Sequence, residues 1–472
     1  MLVLQYFVKG IAHSSYIISG NNYCAVVDPR RDVDIYIQAA KELDVTITHI
    51  LETHLHADFL SGHIELAKLT GAEIYMPKSA NCEFDHVPLK ENDKFSMEKM
   101  TFQVLETPGH TPEHISYVVT DTARGNEPVG VFCGDTLFVG DVGRPDLFPG
   151  RAEELASKLY DSLHQKLLNL PDYCEVYPAH GAGSLCGRAM GAKRTSTIGY
   201  EKLYNPALNI KDRQEFIASL TTDMPPAPDH FSRCSKINAQ GPQLLSTLPP
   251  LQPLNPDEFN RKSEQEGIVV LDIRDYQGFG GFHVPNAYSI DYGGNFATFA
   301  GWIIPPHADI IIVSHSEQQA HQAKRSMHRV GLDKVTGFLQ GGMFNWARNG
   351  LPGKQVPQLS AAQVFKKISA GEKITLLDVR SPSEYSSMHI EGGINIPAPE
   401  LRTRYNELDK SSPVLVMCST GHRSSLGISI LQQHGYDNLY NAAGGIHGYS
   451  SAGYSKKCPV CFAPHSPHFM GE

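Results

Sequence analysis

Thr53-His-Leu-His-Ala-Asp58 decides how the first half of the chain is read. The stretch before it, Val45–Leu51, is β-branched and apolar, so two imidazoles and a carboxylate stand in a loop just past a strand. Upstream, Tyr23-Cys-Ala-Val-Val-Asp28 reads as a strand leading to a helix near Val33–Leu43. Downstream the arrangement recurs: Thr101–Leu105 runs into Thr107-Pro-Gly-His110, Val129–Cys133 runs into Gly134-Asp135, and Pro178-Ala-His180 follows. Loops at strand ends are where α/β and sandwich scaffolds build sites. A lone histidine there is most often solvated or packed, but several imidazoles and carboxylates at successive strand ends point to a metal. The candidates are His54, His56, Asp58, His110, Asp135 and His180.

At 472 residues the chain exceeds what one hydrophobic core serves, and at roughly 150 residues per domain it predicts two to four domains, with three the starting expectation. The net charge of -9, without a strong basic stripe, argues against nucleic acid and against an anionic membrane as partners. The N-terminus lacks the basic start and long apolar run of a signal peptide and reads as a first strand. No later run is long enough to span a bilayer. Nine scattered cysteines, an odd number, do not form a disulfide framework, and a reducing cytoplasm is expected.

A Pro-rich connector over Leu245–Pro256 cannot continue a helix or a central strand and marks a domain boundary; Leu351-Pro-Gly-Lys-Gln-Val-Pro357 marks a weaker one. The segments beyond resemble each other. Val269-Val-Leu-Asp-Ile-Arg274 matches Thr375-Leu-Leu-Asp-Val-Arg380, Gly281–Asn286 echoes Ser387–Gly392, Ile310–Val313 stands where Val414–Met417 stands, and Gly341-Gly342 parallels Gly444-Gly445. Each copy reads as a small parallel α/β domain with helices on both faces. The predicted domains are residues 1–245, 254–353 and 358–457, with a tail over residues 458–472.

Over the first half, Thr53–Asp58, Thr107-Pro-Gly-His-Thr111, Gly134-Asp135 and Pro178-Ala-His180 together resemble the metallo-β-lactamase superfamily, which implies an αββα sandwich. Hydrolases of that superfamily, glyoxalase II among them, place another His directly after the motif's Asp to complete a second metal site. Here that position is Phe59, which cannot ligate. The remaining set fits one metal with two imidazoles, one carboxylate and open positions, a ligand type that suits non-haem Fe(II). The chain resembles the persulfide dioxygenases of the ETHE type, and the resemblance implies Fe(II), one per chain, held by His54, His110 and Asp135, with O2 as co-substrate. His56, Asp58 and His180 then become neighbours that orient ligands or waters. Gly143-Arg-Pro-Asp-Leu147 stands where these dioxygenases carry Gly-Arg-Thr-Asp-Phe. Arg144 has two readings: it grips a carboxylate of a glutathione-like thiol, or it forms a structural ion pair with Asp146. Cys186, in Gly181-Ala-Gly-Ser-Leu-Cys186-Gly, is either an inert small hydrophobe or a thiol that accepts or positions sulfur, favoured as thiolate by the Gly-rich backbone and Arg188.

In the last repeat, the strand Val414–Met417 delivers Cys418-Ser419-Thr420-Gly421-His422-Arg423, and a helix begins near Ser424. Loop N–H groups and the helix start converge on the sulfur, and Arg423 adds charge, so a thiolate or persulfide at Cys418 is stabilised. This segment resembles the rhodanese family, supported by Asp378-Val-Arg380, His389-Ile-Glu-Gly-Gly393 and Gly444-Gly445. Dual-specificity phosphatases place five residues between Cys and Arg; the shorter loop here favours sulfur transfer. The middle repeat has Ser314 at the nucleophile's position, no closing Arg, and Glu317 nearby, and reads as catalytically silent. Cys458-Pro-Val-Cys461, with His465 and His468, is read as an ordinary tail, with zinc binding or disulfide exchange as the alternatives.

The resemblance thus implies a persulfide dioxygenase fused to tandem rhodanese-like doubly wound α/β domains, as in multidomain sulfide-detoxification proteins. A thiol persulfide of glutathione, coenzyme A or a similar small thiol is oxidised to sulfite, and Cys418 gives sulfane sulfur to sulfite, forming thiosulfate. A homo-oligomer, dimer or tetramer, is expected. The rivals are a glyoxalase II-like zinc thioester hydrolase and a non-catalytic persulfide carrier or sensor.

Overall fold

The computed structural model describes residues 1–455 except 189, 223 and 225. The chain divides into two compact units, Met1–Leu248 with Arg325–Asp333, and Pro249–Lys324 with the chain from Lys334 onward. Among the described residues no helix is long and apolar enough to cross a membrane.

The first unit is built on two six-stranded sheets. One runs in chain order through Leu2–Val8, His13–Ser19, Tyr23–Val27, Thr46–Leu51, Glu73–Pro77 and Val87–Leu89. Its first three strands pair antiparallel, and the later ones join in parallel, with helices Asp34–Glu42 and His63–Thr70 on two of the crossovers that parallel neighbours need. The other has the order Ser196–Thr197, Glu175–Pro178, Gly130–Gly134, Ile115–Asp121, Met100–Glu106, Lys94–Met97. Period-two alternation sends Tyr16, Ile18 and Val27 of the first sheet inward against Phe102, Tyr117, Val119 and Phe132 of the second. The opposite faces pack on helices: Ile17, Val26 and Ile50 against Tyr36 and Leu66, and Val118, Val131 and Val176 against Leu159 and Phe216. The result is the αββα sandwich that the resemblance implied. Met100–Glu106, Gly130–Gly134 and Glu175–Pro178 run in one direction, so their following loops emerge at one end of the sheet.

The second unit holds two five-stranded sheets of identical order, with every neighbouring pair parallel. One is Gln252–Leu254, Val335–Leu339, Asp309–Val313, Ile268–Asp272, Tyr288–Ser289; the other is Gln358–Leu359, Leu439–Ala442, Val414–Met417, Thr375–Asp378, Ile394–Asn395. Pro253 sits in an edge strand, where a missing N–H disrupts no central ladder. The internal repeat extends to side chains. Asp272 and Asp378 each end a strand and grip the arginine two residues on, Arg274 and Arg380, at 2.6 Å. His283 and His389 each use Nδ1 on the carbonyl four residues back, at 2.7 and 2.8 Å.

Candidate metal centre and sulfur-carrier loop

His54, His110 and Asp135 converge, with ligand atoms all within 4.8 Å of one another and all three residues buried. Asp135 Oδ2 stands 3.3 Å from His110 Nε2 and 3.9 Å from His54 Nε2. The backbone around them is shaped for this approach: Gly134 adopts φ 50°, and a Cβ there would lie 2.4 Å from His114 Nε2 and 2.5 Å from Thr53 Oγ1.

The hydrogen bonds behind the two imidazoles fix their tautomers. His110 Nδ1 lies 2.9 Å from the Arg144 carbonyl, which can only accept, so Nδ1 carries the proton and Nε2 a bare lone pair. Thr53 Oγ1 lies 2.9 Å from His54 Nδ1 and 3.0 Å from Asp28 Oδ2. Asp28 as a carboxylate accepts the threonine hydroxyl proton, so that oxygen accepts from His54 Nδ1–H, and His54 Nε2 is bare as well. Both Nε2 atoms are buried without a hydrogen-bond partner. Burial, reinforced for His54 by neighbouring imidazoles, lowers the affinity of both rings for a second proton. Two lone pairs and a carboxylate facing one point, with no donor among them, fit a cation.

The neighbouring candidates are arranged differently. His56 Nε2 lies 3.2 Å from Asp28 Oδ1 and 3.5 Å from Glu52 Oε2, directed away from the trio. His180 places Nδ1 2.7 Å from Asp135 Oδ1 and Nε2 2.8 Å from Asp58 Oδ2. Burial opposes a charged ring, but Asp135 and then Asp58 raise its pKa well above the usual histidine range. Burial likewise opposes ionisation of Asp135, yet His180, whose Nδ1 stands against it, keeps its carboxyl well below the carboxylate range. Phe59 is fully buried, its ring 4.1 Å from that of His13 and 4.4 Å from that of His56.

Cys186 lies with Asp58 and His180 in a second buried cluster of potential ligands. The expected help from Arg188 is not found: its guanidinium bonds the Ser219 carbonyl, and burial, then Asp58 and Asp135, push the Cys186 thiol well above its ordinary value. The guanidinium of Arg144 is buried, with Nε and Nη2 each 2.7 Å from Asp146 and Nη1 3.1 Å from the Leu185 carbonyl.

Several residues here escaped the sequence reading. His114 stacks on His54 at 4.7 Å, and its Nε2 accepts from the Asp135 backbone N–H at 2.9 Å, holding the carboxylate's main chain in place. Its position four residues after His110 is the signal that could have found it. Asp28, which anchors Thr53, stood at the end of a quoted strand without being read as part of the site.

In the second unit, Cys418 follows the strand Val414–Met417, and the helix His422–Gln433 begins two residues earlier than expected. The Gly421 N–H donates to Cys418 Sγ at 3.1 Å, and Ser424 Oγ lies 3.5 Å from the sulfur. Gly445 closes the far side: at φ 56°, a Cβ there would meet the Cys418 carbonyl oxygen at 2.3 Å. Arg423 forks onto Glu384 at 2.6 and 2.7 Å and reaches Ser419 Oγ at 2.7 Å, clasping the loop at its two ends. Burial works against Glu384 ionising, but Arg423 brings its carboxyl down to about 2. Glu384 also completes the capping box with Ser381 that starts helix Pro382–Ser387. In the middle copy, Ser314 follows the strand Asp309–Val313, and its Oγ donates to the Ser316 carbonyl at 2.9 Å. The residue at the position of Glu384 there is Gly278, so nucleophile, arginine and its carboxylate are absent together. Cys458, Cys461, His465 and His468 lie outside the described residues.

Fold and site together define an αββα sandwich with a candidate metal centre, joined to two parallel α/β modules, one of which carries a thiol in the loop between a strand and a helix start. Residues 8–180 match the metallo-beta-lactamase superfamily, and residues 255–349 and 361–452 each match the rhodanese-like domain. A crystal structure of a metallo-beta-lactamase from Staphylococcus aureus is similar at 33% identity and TM-score 0.65, covering 72% of this chain and 98% of that one. The chain belongs to the metallo-β-lactamase superfamily and carries two rhodanese-like domains behind that fold. It is 38% identical to a hydroxyacylglutathione hydrolase of Pseudomonas putida, over 33% of this chain and 56% of the hydrolase, and so spans little more than half of that relative. It is 29% identical to the mitochondrial persulfide dioxygenase ETHE1 of Mus musculus, over 41% of this chain and 69% of the dioxygenase.

Proposed function

We propose that the chain is a persulfide dioxygenase coupled to a rhodanese-type sulfurtransferase, oxidising a small thiol persulfide to sulfite and converting sulfite to thiosulfate, in the service of sulfide detoxification. The observation that carries this reading is the trio His54, His110 and Asp135, two bare imidazole nitrogens and one carboxylate, grouped among the described residues without a fourth ligand. Held there, one non-haem Fe(II) supplies redox chemistry with O2 that the side chains lack. The chain's own residues prepare the site. Thr53 and the Arg144 carbonyl keep both Nε2 atoms unprotonated, and His180 keeps Asp135 ionised.

The oxidation balances as one persulfide, one O2 and one water giving one thiol, one sulfite and two protons. Cys418, as thiolate, takes the outer sulfur of a second persulfide, releasing its thiol, and then passes that sulfur to sulfite. The Gly421 N–H on Sγ supports the anion at each stage.

The similarity to hydroxyacylglutathione hydrolases favours a second reading, zinc-dependent thioester cleavage. Phe59 at the second-site position, His56 on Asp28 and Glu52, and His180 locked between carboxylates all weigh against a dinuclear hydrolase centre. Assaying purified protein of measured metal content for O2 uptake on glutathione and coenzyme A persulfides and for hydrolysis of a glutathione thioester separates the two. The expected result is iron with O2 uptake, abolished in His54→Ala, His110→Ala and Asp135→Ala. Zinc with thioester cleavage, or unchanged iron content and turnover in all three variants, overturns the proposal.

A further inference from the structure

The middle repeat lacks its nucleophile, yet one stretch of it, Arg325–Asp333, packs within the first unit. It is the end of the helix Glu317–Arg329 and the turn that follows. Gly331, at φ 73°, closes the helix: its N–H bonds the His328 carbonyl at 3.1 Å, and the Leu332 N–H bonds the Met327 carbonyl at 3.0 Å. The last two carbonyls accept instead from residues far off in sequence, that of Arg329 from the Leu60 N–H at 2.6 Å and that of Val330 from Arg233 Nη2 at 2.8 Å. Arg31 Nη1 joins them at the His328 carbonyl, at 2.6 Å, so two guanidinium groups meet the negative end of the helix.

Charge pairs reinforce the contact. Arg31 is 2% exposed and sets Nη2 2.9 Å from Asp333 Oδ2, while Arg329 forks onto Asp32 with Nε and Nη2 each at 2.7 Å. The residues gripped belong to two turns beside the metal trio. Arg31 and Asp32 follow Asp28, whose carboxylate orients Thr53 and through it His54. Asp28 itself sits at φ 48°, a conformation that a non-glycine residue keeps only where its surroundings impose it. Leu60 lies in the same loop as His54, between the strand Thr46–Leu51 and the helix His63–Thr70. The turns are also tied to each other: the Gly62 N–H and the Ser61 hydroxyl both donate to the Pro29 carbonyl, at 2.8 and 3.0 Å.

We propose that Arg325–Asp333 is a positioning strap for the metal centre: it fixes the two turns from which His54 is aimed, so the repeat without a nucleophile contributes to iron binding at the trio. The inference rests on the metal reading above. Arg31, Asp32, Arg329 and Asp333 are positioning residues that act through Asp28, Thr53 and the Leu60 turn.

The test titrates the iron-loaded, full-length protein with chelator and measures Tm alongside. Arg329→Gln and Asp333→Asn each remove one charge pair. In both, the chelator concentration that removes half the iron falls on the order of tenfold, and Arg329→Lys restores most of it. Phe216→Leu, in the core behind the other sheet, lowers Tm while iron retention stays near wild type. Thiosulfate-to-cyanide transfer, which uses Cys418, keeps its wild-type rate in the charge-pair variants. Iron retention at the wild-type level in both variants overturns the proposal. So does iron loss in Phe216→Leu equal to theirs at equal Tm, or loss of sulfur transfer in parallel with iron, since either reduces the strap to general stability. If Asp333→Asn does not fold, Arg329→Gln decides alone, because that pair is 16% and 12% exposed and more tolerant of change. A wild type that holds no iron sinks the metal reading itself; a wild type and variants that hold iron equally sink the strap alone.

Discussion

Thr53→Val tests the tautomer argument at nearly constant volume. The threonine hydroxyl lies 2.9 Å from His54 Nδ1 and within 3.1 Å of both Asp28 carboxylate oxygens, all in a buried setting. Valine deletes these bonds, strands the His54 Nδ1–H, and leaves Asp28 the Thr53 backbone N–H at 2.8 Å, which valine retains. A stranded buried donor costs about 1–3 kcal/mol. In a unit of this size each kcal/mol lowers Tm by about 2–4 °C, so the first unit's transition falls by about 2–12 °C. The larger effect is on metal. Without an acceptor at Nδ1 the ring is free to carry its proton on Nε2, which cannot then ligate, and losing a partner of this kind typically weakens metal affinity about 10–100-fold. The assay is residual iron after dialysis against graded chelator, together with O2 uptake as a function of added Fe(II). Thr53→Ser, which keeps the hydroxyl, should recover most of the affinity. Wild-type iron retention in Thr53→Val would refute the claim that this relay fixes His54.

Phe59→His places an imidazole beside Asp58 and His180, whose facing atoms are 2.8 Å apart, and metal analysis should rise toward two ions per chain. A value that stays at one would mean that Asp58, His180 and an added imidazole do not suffice for a second site. Ser314→Ala should leave both O2 uptake and thiosulfate formation at wild-type rates, since its hydroxyl is committed to the Ser316 carbonyl; a folded variant with lost sulfur transfer contradicts a silent module. Glu384 titrates at about 2 when folded against an ordinary 4.5, so the stability it contributes is complete above 4.5 and lost as pH falls toward 2. Acid unfolding of Glu384→Gln followed over that window should therefore be less pH-dependent than that of the wild type, and an identical profile counts against the Arg423 pairing.

The trio was legible because each member follows a strand of recognisable apolar pattern, so chain position alone announced a shared end of the sandwich. The direction of a ring within one loop was not. His54 and His56 are two residues apart, yet one faces Asp135 and the other Asp28 and Glu52, a choice made by carboxylates just past the ends of two other strands and of the same one. The same holds for His114 and Asp28, whose contribution is a hydrogen bond across tertiary contacts. The tandem repeat was readable because Asp272–Arg274 and Asp378–Arg380 serve the same buried ion pair in each copy. The clasp of Arg423 by Glu384 was missed, since it joins a helix cap to a loop far along the chain. Cys186 was misjudged in its electrostatics because Asp58 and Asp135, not Arg188, are what the fold brings near it.

Oxidation by O2 at the His54–His110–Asp135 centre, followed by transfer through Cys418, fixes a stoichiometry that a single reaction can measure. Limiting glutathione persulfide is consumed in air by iron-loaded protein while O2, sulfite and thiosulfate are quantified together. For the wild type the balance requires one O2 for every two persulfides, with thiosulfate as product. For Cys418→Ser, whose oxygen is a poor nucleophile at neutral pH, it requires one O2 per persulfide, with free sulfite. Persulfide consumed without O2 would contradict the oxidation, and thiosulfate formed by Cys418→Ser at the wild-type ratio would contradict the coupling.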